Sequence, residues 1–138
     1  MPEKDVFHNA VKNALLKEGW IITHDPLFIQ VGGIEMYVDI GAEKIIGAEK
    51  NGTKIAVEIK SFLSPSTIYE FHTALGQFMN YRLAIEEQRM DRILYLAVPV
   101  DTYKSFFMLP FIQSVIKRYQ LNSIIYNVEE EVIVRWQE

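Results

Sequence analysis

The sequence predicts an α/β domain, a mixed central sheet flanked by helices. Three observations carry this. Apolar residues recur at helical spacing over 5–18 and again over 67–87. Between and after these runs lie β-branched stretches that either alternate with a period of two or are apolar throughout. Finally, Asp-Pro, Gly-Gly and Asn-Gly pairs cut the extended stretches into short strands.

Taken in order, Val6, Phe7, Ala10, Val11, Ala14 and Leu15 line one face of a first helix, with Asp5 as N-cap and Gly19 as stop. Trp20 to Thr23 reads as a short strand ended by Asp25-Pro26. "LFIQV" is a second strand, closed by Gly32-Gly33, and a third starts near Glu35 and runs through "MYVDI". "EKIIGAEK" and "TKIAVEIKSF" flank Asn51-Gly52, a strong signal for a two-residue hairpin turn. Ser66 opens a long helix to about Glu87, with Ile68, Phe71, Leu75, Phe78, Met79 and Leu83 at helical spacing. "RILYLAVPV" has the continuous apolarity of a strand buried on both faces. A short helix over 102–107 precedes another from Pro110 to Tyr119, Pro110 being suited to a first helical turn. "SIIYNV" and "EVIVRWQ" finish the chain as strands around an acidic turn, Glu129 to Glu131.

No linker or low-complexity tract interrupts the 138 residues, so they are expected to form one domain, 1–138. The absence of cysteine excludes a disulfide framework and a thiolate metal site. A net charge of −4 argues against DNA coating by bulk electrostatics, leaves room for a local basic patch, and suits a site that gathers carboxylates around a cation. The first residues lack a secretory apolar segment. The longest apolar run, "ILYLAVPV", falls far short of the ~20 residues a membrane helix needs. A cytoplasmic protein away from membranes is expected.

A two-residue turn at Asn51-Gly52 would pair Glu49 with Lys54, Ile45 with Glu58, and Glu43 with Lys60. Strand side chains alternate faces. One face of this ribbon then carries Lys44, Ile46, Ala48, Ile55, Val57 and Ile59; mostly apolar, it should lie against a helix. The other carries Glu43, Glu49, Lys54, Glu58 and Lys60, and Asp39 joins it by parity unless Gly41 forms a bulge. Such a face is either the wet side of an amphipathic ribbon, its charges pairing across strands, or a metal site. Carboxylate oxygens are the hard ligands Mg²⁺ prefers. A bound cation activates water and neutralises charge on a phosphate, while a nearby lysine orients the water or stabilises the phosphorane.

Asp39 followed by "EIK" at 58–60 resembles the D…(D/E)xK signature of the PD-(D/E)xK nuclease-like superfamily. An acid-x-Lys triplet is expected about once by chance in such a chain, so placement carries the likeness. The acid stands 19 residues upstream in a strand, and the triplet closes a hairpin arm. A long helix and a buried strand follow, in the αβββαβ order of a restriction-endonuclease-like core. Gln77 and Tyr81 form a QxxxY pair similar to that of RecB-like nucleases, on one helix face. Val38 stands where the superfamily usually has proline.

"FHNAVKNALLKEGWIITHDPL", "VDIGAEK" and "IAVEIKSFLSPS" more closely resemble the XisH family, the fdxN element excision controlling factors of cyanobacteria, over essentially the whole chain. That resemblance implies a role in developmentally controlled DNA rearrangement beside a recombinase and a second controlling factor, XisI. Carried over, Asp39 and Glu58 would ligate Mg²⁺ or Mn²⁺ with the Ile59 carbonyl as third ligand. Lys60 would act on the attacking water or the transition state, and Gln77 would support the site with Tyr81 beneath it. Superfamily analogy further implies a homodimer.

Three functions follow: a metal-dependent endonuclease-like protein acting on DNA during element excision, a non-catalytic excision-controlling factor that keeps the fold for DNA or partner binding, or a structural partner-binding module. Glu43 competes as a third carboxylate. His8 is expected on the first helix's surface or in its packing, His24 in turn chemistry, and His72 without a role. Phe106, Phe107 and Phe111 are expected in the core or a dimer interface, while Arg82, Arg89 and Arg92 form either a basic edge or a solvated helix face. Because Glu58 is placed on the polar side, Glu58→Ala is expected to remove metal binding with little loss of folding.

Overall fold

The computed structural model describes residues 3–44 and 52–138. Helix α1 (Glu3–Lys17) starts two residues before Asp5 and stops at Gly19, whose φ of +91° is one that L side chains rarely adopt. Strands β1 (Ile21–His24), β2 (Leu27–Val31), β3 (Ile34–Val38), β4 (Ile40–Lys44) and β5 (Thr53–Ile59) follow. Next come α2 (Thr67–Glu87), β6 (Ile93–Pro99) and α3 (Val100–Thr102), which runs into a π-helical turn over Tyr103–Phe107. Helix α4 (Pro110–Tyr119), β7 (Ser123–Asn127) and β8 (Val132–Gln137) complete the chain. The Ser66 hydroxyl accepts the Tyr69 N–H at 3.3 Å, the N-cap that sets the start of α2.

Six strands form a mixed sheet in the order β1-β4-β5-β6-β7-β8, parallel at β5-β6 and β6-β7 and antiparallel elsewhere. Among the described residues, strands β2 and β3 pair only with each other. The single third strand expected from the sequence is therefore two. Chain direction changes at Asp39, where the small hairpin hands over to the main sheet. The short helix over 102–107 likewise begins earlier, at Val100, and widens into a π-helical turn.

Both faces of the sheet are covered. On one, Ala10, Val11 and Leu15 of α1 pack on Ile40, Ala42, Ile55 and Val57, all 0–1% exposed. On the other, Phe71, Ala74 and Phe78 of α2 pack on Ala56, Leu94, Leu96 and Val98, joined by Leu27 and Ile29 from the β2-β3 hairpin. Each large aliphatic or aromatic side chain buried in this way contributes roughly 1.5–3 kcal/mol. The ribbon's apolar face does lie against a helix, α1. Its polar face is covered at one end: α2 and the hairpin lie over Glu58, which is only 6% exposed, whereas Lys54 is exposed and Glu43 half-buried. A surface charge pair does not describe that residue.

The β4-β5 register also differs from the expected one. Lys44 pairs with Thr53, Glu43 with Lys54, Ala42 with Ile55 and Gly41 with Ala56. Glu43 therefore opposes Lys54 and not Lys60; residues 45–51, and with them the expected pairs of Ile45 and Glu49 and the Asn51-Gly52 turn, lie outside the described residues. The offset is six residues, the spacing of the "GAEK" repeat. Residues 41–44 make the pairs that the sequence reading assigned to the identical residues 47–50. Six is even, so both faces keep their membership. The observed register has one further consequence: continued past Ile40–Val57, it sets Asp39 opposite Glu58.

Candidate functional site

Asp39 ends the irregular step between β3 and β4, and Glu58 and Ile59 end β5. Two hydrogen bonds lock the pair across the strands. The Ile59 N–H donates to Asp39 Oδ2 at 2.8 Å, and the Asp39 N–H donates to Glu58 Oε1 at 3.3 Å. Just beyond the strand, the Lys60 N–H donates to the Ala97 carbonyl of β6 at 3.1 Å, which fixes the lysine backbone to the sheet. Its ammonium lies 3.7 Å from Glu58 Oε2.

The electrostatics follow from burial. Glu58 is pushed up from 4.5 to about 8, first by desolvation and then by the neighbouring Asp39 charge, against which Lys60 pulls it down. Tyr81 is pushed up to about 12 by burial and by the charges of Glu58 and Asp39, which places its hydroxyl in the field of both carboxyl groups. One helical turn earlier, Gln77 Oε1 is buried without a hydrogen-bond partner. The QxxxY pair thus lies on the flank of α2 toward the carboxylates.

Asp39, Ile59 and Lys60 open into a cleft of about 510 Å³ whose remaining walls include His8, Ser61 and Glu70. Two of these were not legible in the sequence. Glu70 accepts the N–H groups of Phe62 (2.6 Å) and Ser64 (3.0 Å), holding the loop after β5 in a turn where Phe62 has φ of +56°. An acid in the first turn of a helix was a visible signal, yet nothing said which loop it would hold. Ser61 reaches the wall only because that loop turns. His8 is half-buried, not a free surface group, and its Nε2 meets Asp25 Oδ1 at 2.8 Å while Lys12 donates to Asp25 Oδ2 at 2.9 Å. These two partners, working against desolvation, hold the Asp25 carboxyl below the usual range.

Other expectations resolve differently. Glu43 faces Lys54 across the ladder and lies near Arg92, away from the cleft lining. Arg92 donates to the Ile55 carbonyl at 2.8 Å, and Arg82 donates to the carbonyls of Tyr119 and Gln120 at the end of α4. Both spend N–H donors on protein carbonyls, while Arg89 is exposed. A larger groove of about 800 Å³ is lined by both arginines with Lys117, Asn122 and Glu138. His24 bonds Thr23 and Arg92, His72 is exposed, Phe107 is core and Phe111 is 70% exposed.

The donor set fits a hard divalent cation. The half-buried Asp39 and the buried Glu58 share one corner, burial and the Asp39 charge push the Glu58 carboxyl up, and a buried amide oxygen lies on the adjoining helix flank. Among the described residues no group of three or more His, Cys, Asp or Glu side chains could hold a metal ion. Side chains would then supply two ligands, leaving the rest to a carbonyl and water, as Mg²⁺ tolerates.

Fold and site together define a mixed α/β protein with a buried, lysine-flanked carboxylate pair at a strand junction. The XisH protein family model matches residues 1–134, and the chain belongs to that family. A crystal structure of an XisH family protein from Nostoc punctiforme PCC 73102 is 53% identical, covers 97% of this chain and 100% of its own, and superposes with a TM-score of 0.89. A crystal structure of a fdxN element excision controlling factor protein from Anabaena variabilis is also 53% identical, covering 97% of this chain and 99% of its own, with a TM-score of 0.87. No curated protein matches. Among the described residues no helix is long and apolar enough to cross a membrane.

Proposed function

We propose that this protein is a metal-dependent endonuclease-like domain of the PD-(D/E)xK type that acts on DNA and takes part in controlling excision of a DNA element. One observation carries the reading: a buried glutamate, its carboxyl pushed up to about 8, sits opposite an aspartate and 3.7 Å from a lysine at the mouth of a cleft. Buried like charges are costly to maintain, and their natural complement is a cation. The excision role comes from the relative of that name, 53% identical to this chain.

Asp39, Glu58 and the Ile59 carbonyl would hold Mg²⁺ or Mn²⁺, which when bound supplies an activated water and neutralises phosphate charge. Lys60, anchored through its N–H to Ala97, carries an ammonium that can orient the attacking water and meet the charge growing on the phosphoryl oxygens. Gln77 and Tyr81 set the polarity of the α2 wall, and the helix excludes bulk water from Glu58.

A second reading has its own observation. Asp39 Oδ2 and Glu58 Oε1 already accept backbone N–H groups, so the pair also serves as a clasp between β4 and β5. In that case the protein is a non-catalytic controlling factor, acting through DNA, a second controlling factor or a recombinase. Supercoiled, single-stranded and branched DNA incubated with Mn²⁺ or Mg²⁺ separates the two. Cleavage by wild type that Glu58→Ala and Lys60→Ala both lose establishes the nuclease. DNA binding without cleavage, even with a second controlling factor added, establishes the accessory role.

A further inference from the structure

The cleft at the strand junction carries an apolar surface beside its charged groups. Asp39, Ile59 and Lys60 supply the end suited to a phosphate, while α1 contributes the half-buried Phe7 and the loop after β5 contributes Leu63. Leu63 is 52% exposed, and the loop is fastened on both sides of it. Glu70 accepts the N–H of Phe62 at 2.6 Å and that of Ser64 at 3.0 Å. Phe62 turns inward with φ of +56° and meets Phe107 edge to face, 5.5 Å between ring centroids. The residue between these two anchors is left at the cleft, a leucine held toward solvent by its pinned neighbours.

Charge limits what can lie there. Among the lining residues Asp39 and Glu70 are acids, Lys60 and His8 are bases, and His8 is already bonded to Asp25. One lysine is left for phosphate. Proteins that grip duplex DNA by its backbone spread basic side chains over many phosphates, roughly 6–10 in tight cases. A single lysine suits a single phosphodiester, and Glu70 repels a phosphate laid over the loop. The volume of about 510 Å³ is that of a pocket enclosing one small organic group. Bases in a duplex are stacked on both faces, whereas an unpaired base leaves a face free to lie against apolar and aromatic side chains.

We propose that the cleft takes one unpaired nucleotide of DNA, its phosphate at the Lys60 end and its base against Leu63 and Phe7. The substrate class is single-stranded or locally unpaired DNA. This rests on the reading of the carboxylate pair and Lys60 as a phosphodiester site, and it gives a use to the part of the cleft that site leaves over.

Fluorescence anisotropy in Ca²⁺, with a gel to check that the strands stay intact, reads recognition apart from cleavage. A single-stranded oligonucleotide should bind about ten times more tightly than a hairpin duplex of the same length, and by the same factor more tightly than a base-free deoxyribose-phosphate strand. Leu63→Ser should bring the single strand down to the affinity of the duplex without moving Tm, because the side chain is exposed. Leu63→Phe, which restores an apolar surface, should keep the wild-type preference. Equal affinity for the three DNAs, no DNA binding at all, or an undiminished preference in Leu63→Ser would each overturn the inference. Repeating the series in Mn²⁺ tests the underlying reading separately. Cleavage without the preference removes the inference and leaves the nuclease, whereas the preference without cleavage removes the nuclease and leaves the unpaired nucleotide as the ligand of a non-catalytic factor.

Discussion

Replacing Glu58 by glutamine keeps the shape of the side chain and removes the charge that the fold resists. The unfolded carboxyl loses its proton near 4.5 and the native one near 8. Between those values the native state binds the extra proton, so stability is full below about 4.5, falls as pH rises, and levels off above about 8. At about 1.4 kcal/mol per pH unit, the loss is at most roughly 3 kcal/mol by pH 7 and roughly 5 above pH 8. Glutamine has no such titration and can still accept the Asp39 N–H. Glu58→Gln should therefore match wild type near pH 4.5 and exceed it at pH 7 by up to roughly 3 kcal/mol, on the order of 10 °C in Tm. Urea unfolding of both proteins at half-unit steps from pH 4.5 to 8.5 measures the difference directly, because every other titrating group is common to both. Added Mn²⁺ at pH 8 should raise the stability of wild type alone, by about 2.7 kcal/mol at a hundred times its Kd. Parallel pH curves for the two proteins would refute the buried, charge-starved glutamate, and equal stabilisation by Mn²⁺ would refute its place in a metal site.

Lys60→Ala removes the charge that lowers Glu58, so the pH window of that instability should move upward while the fold persists; an unmoved window would show that the 3.7 Å contact is without electrostatic effect. Val57→Asp places a carboxylate at a position 0% exposed against α1 and should abolish folding at neutral pH; a native circular-dichroism spectrum would show the ribbon is inside out. Glu70→Ala strands the Phe62 and Ser64 N–H groups, costing about 1–3 kcal/mol. Hydrogen exchange over 61–64 should rise first, and unchanged protection there would separate Glu70 from the loop.

Much of the architecture was written in the chain. Helical spacing and a serine cap placed α2 to within a residue, since both signals are local, and the continuous apolarity of 93–99 required a strand covered on both sides. Period-two alternation put Val57 toward a helix and Asp39, Glu58 and Lys60 together, and this survived a register error because the error was even. The register itself was not legible. Two identical "GAEK" segments offer the same residues for pairing, and nothing local separates them. What separates them is non-local: the first copy alone brings Asp39 opposite Glu58, where each carboxylate takes a backbone N–H from the other's strand. Whether the charged face met water or a helix was equally beyond reach, because side-chain alternation fixes direction but not cover. The tertiary structure decided that cover. By laying α2 over Glu58 it turned an ordinary acid-x-lysine triplet into a carboxyl pushed up to about 8, a property that belongs to the packing and to no segment of the sequence.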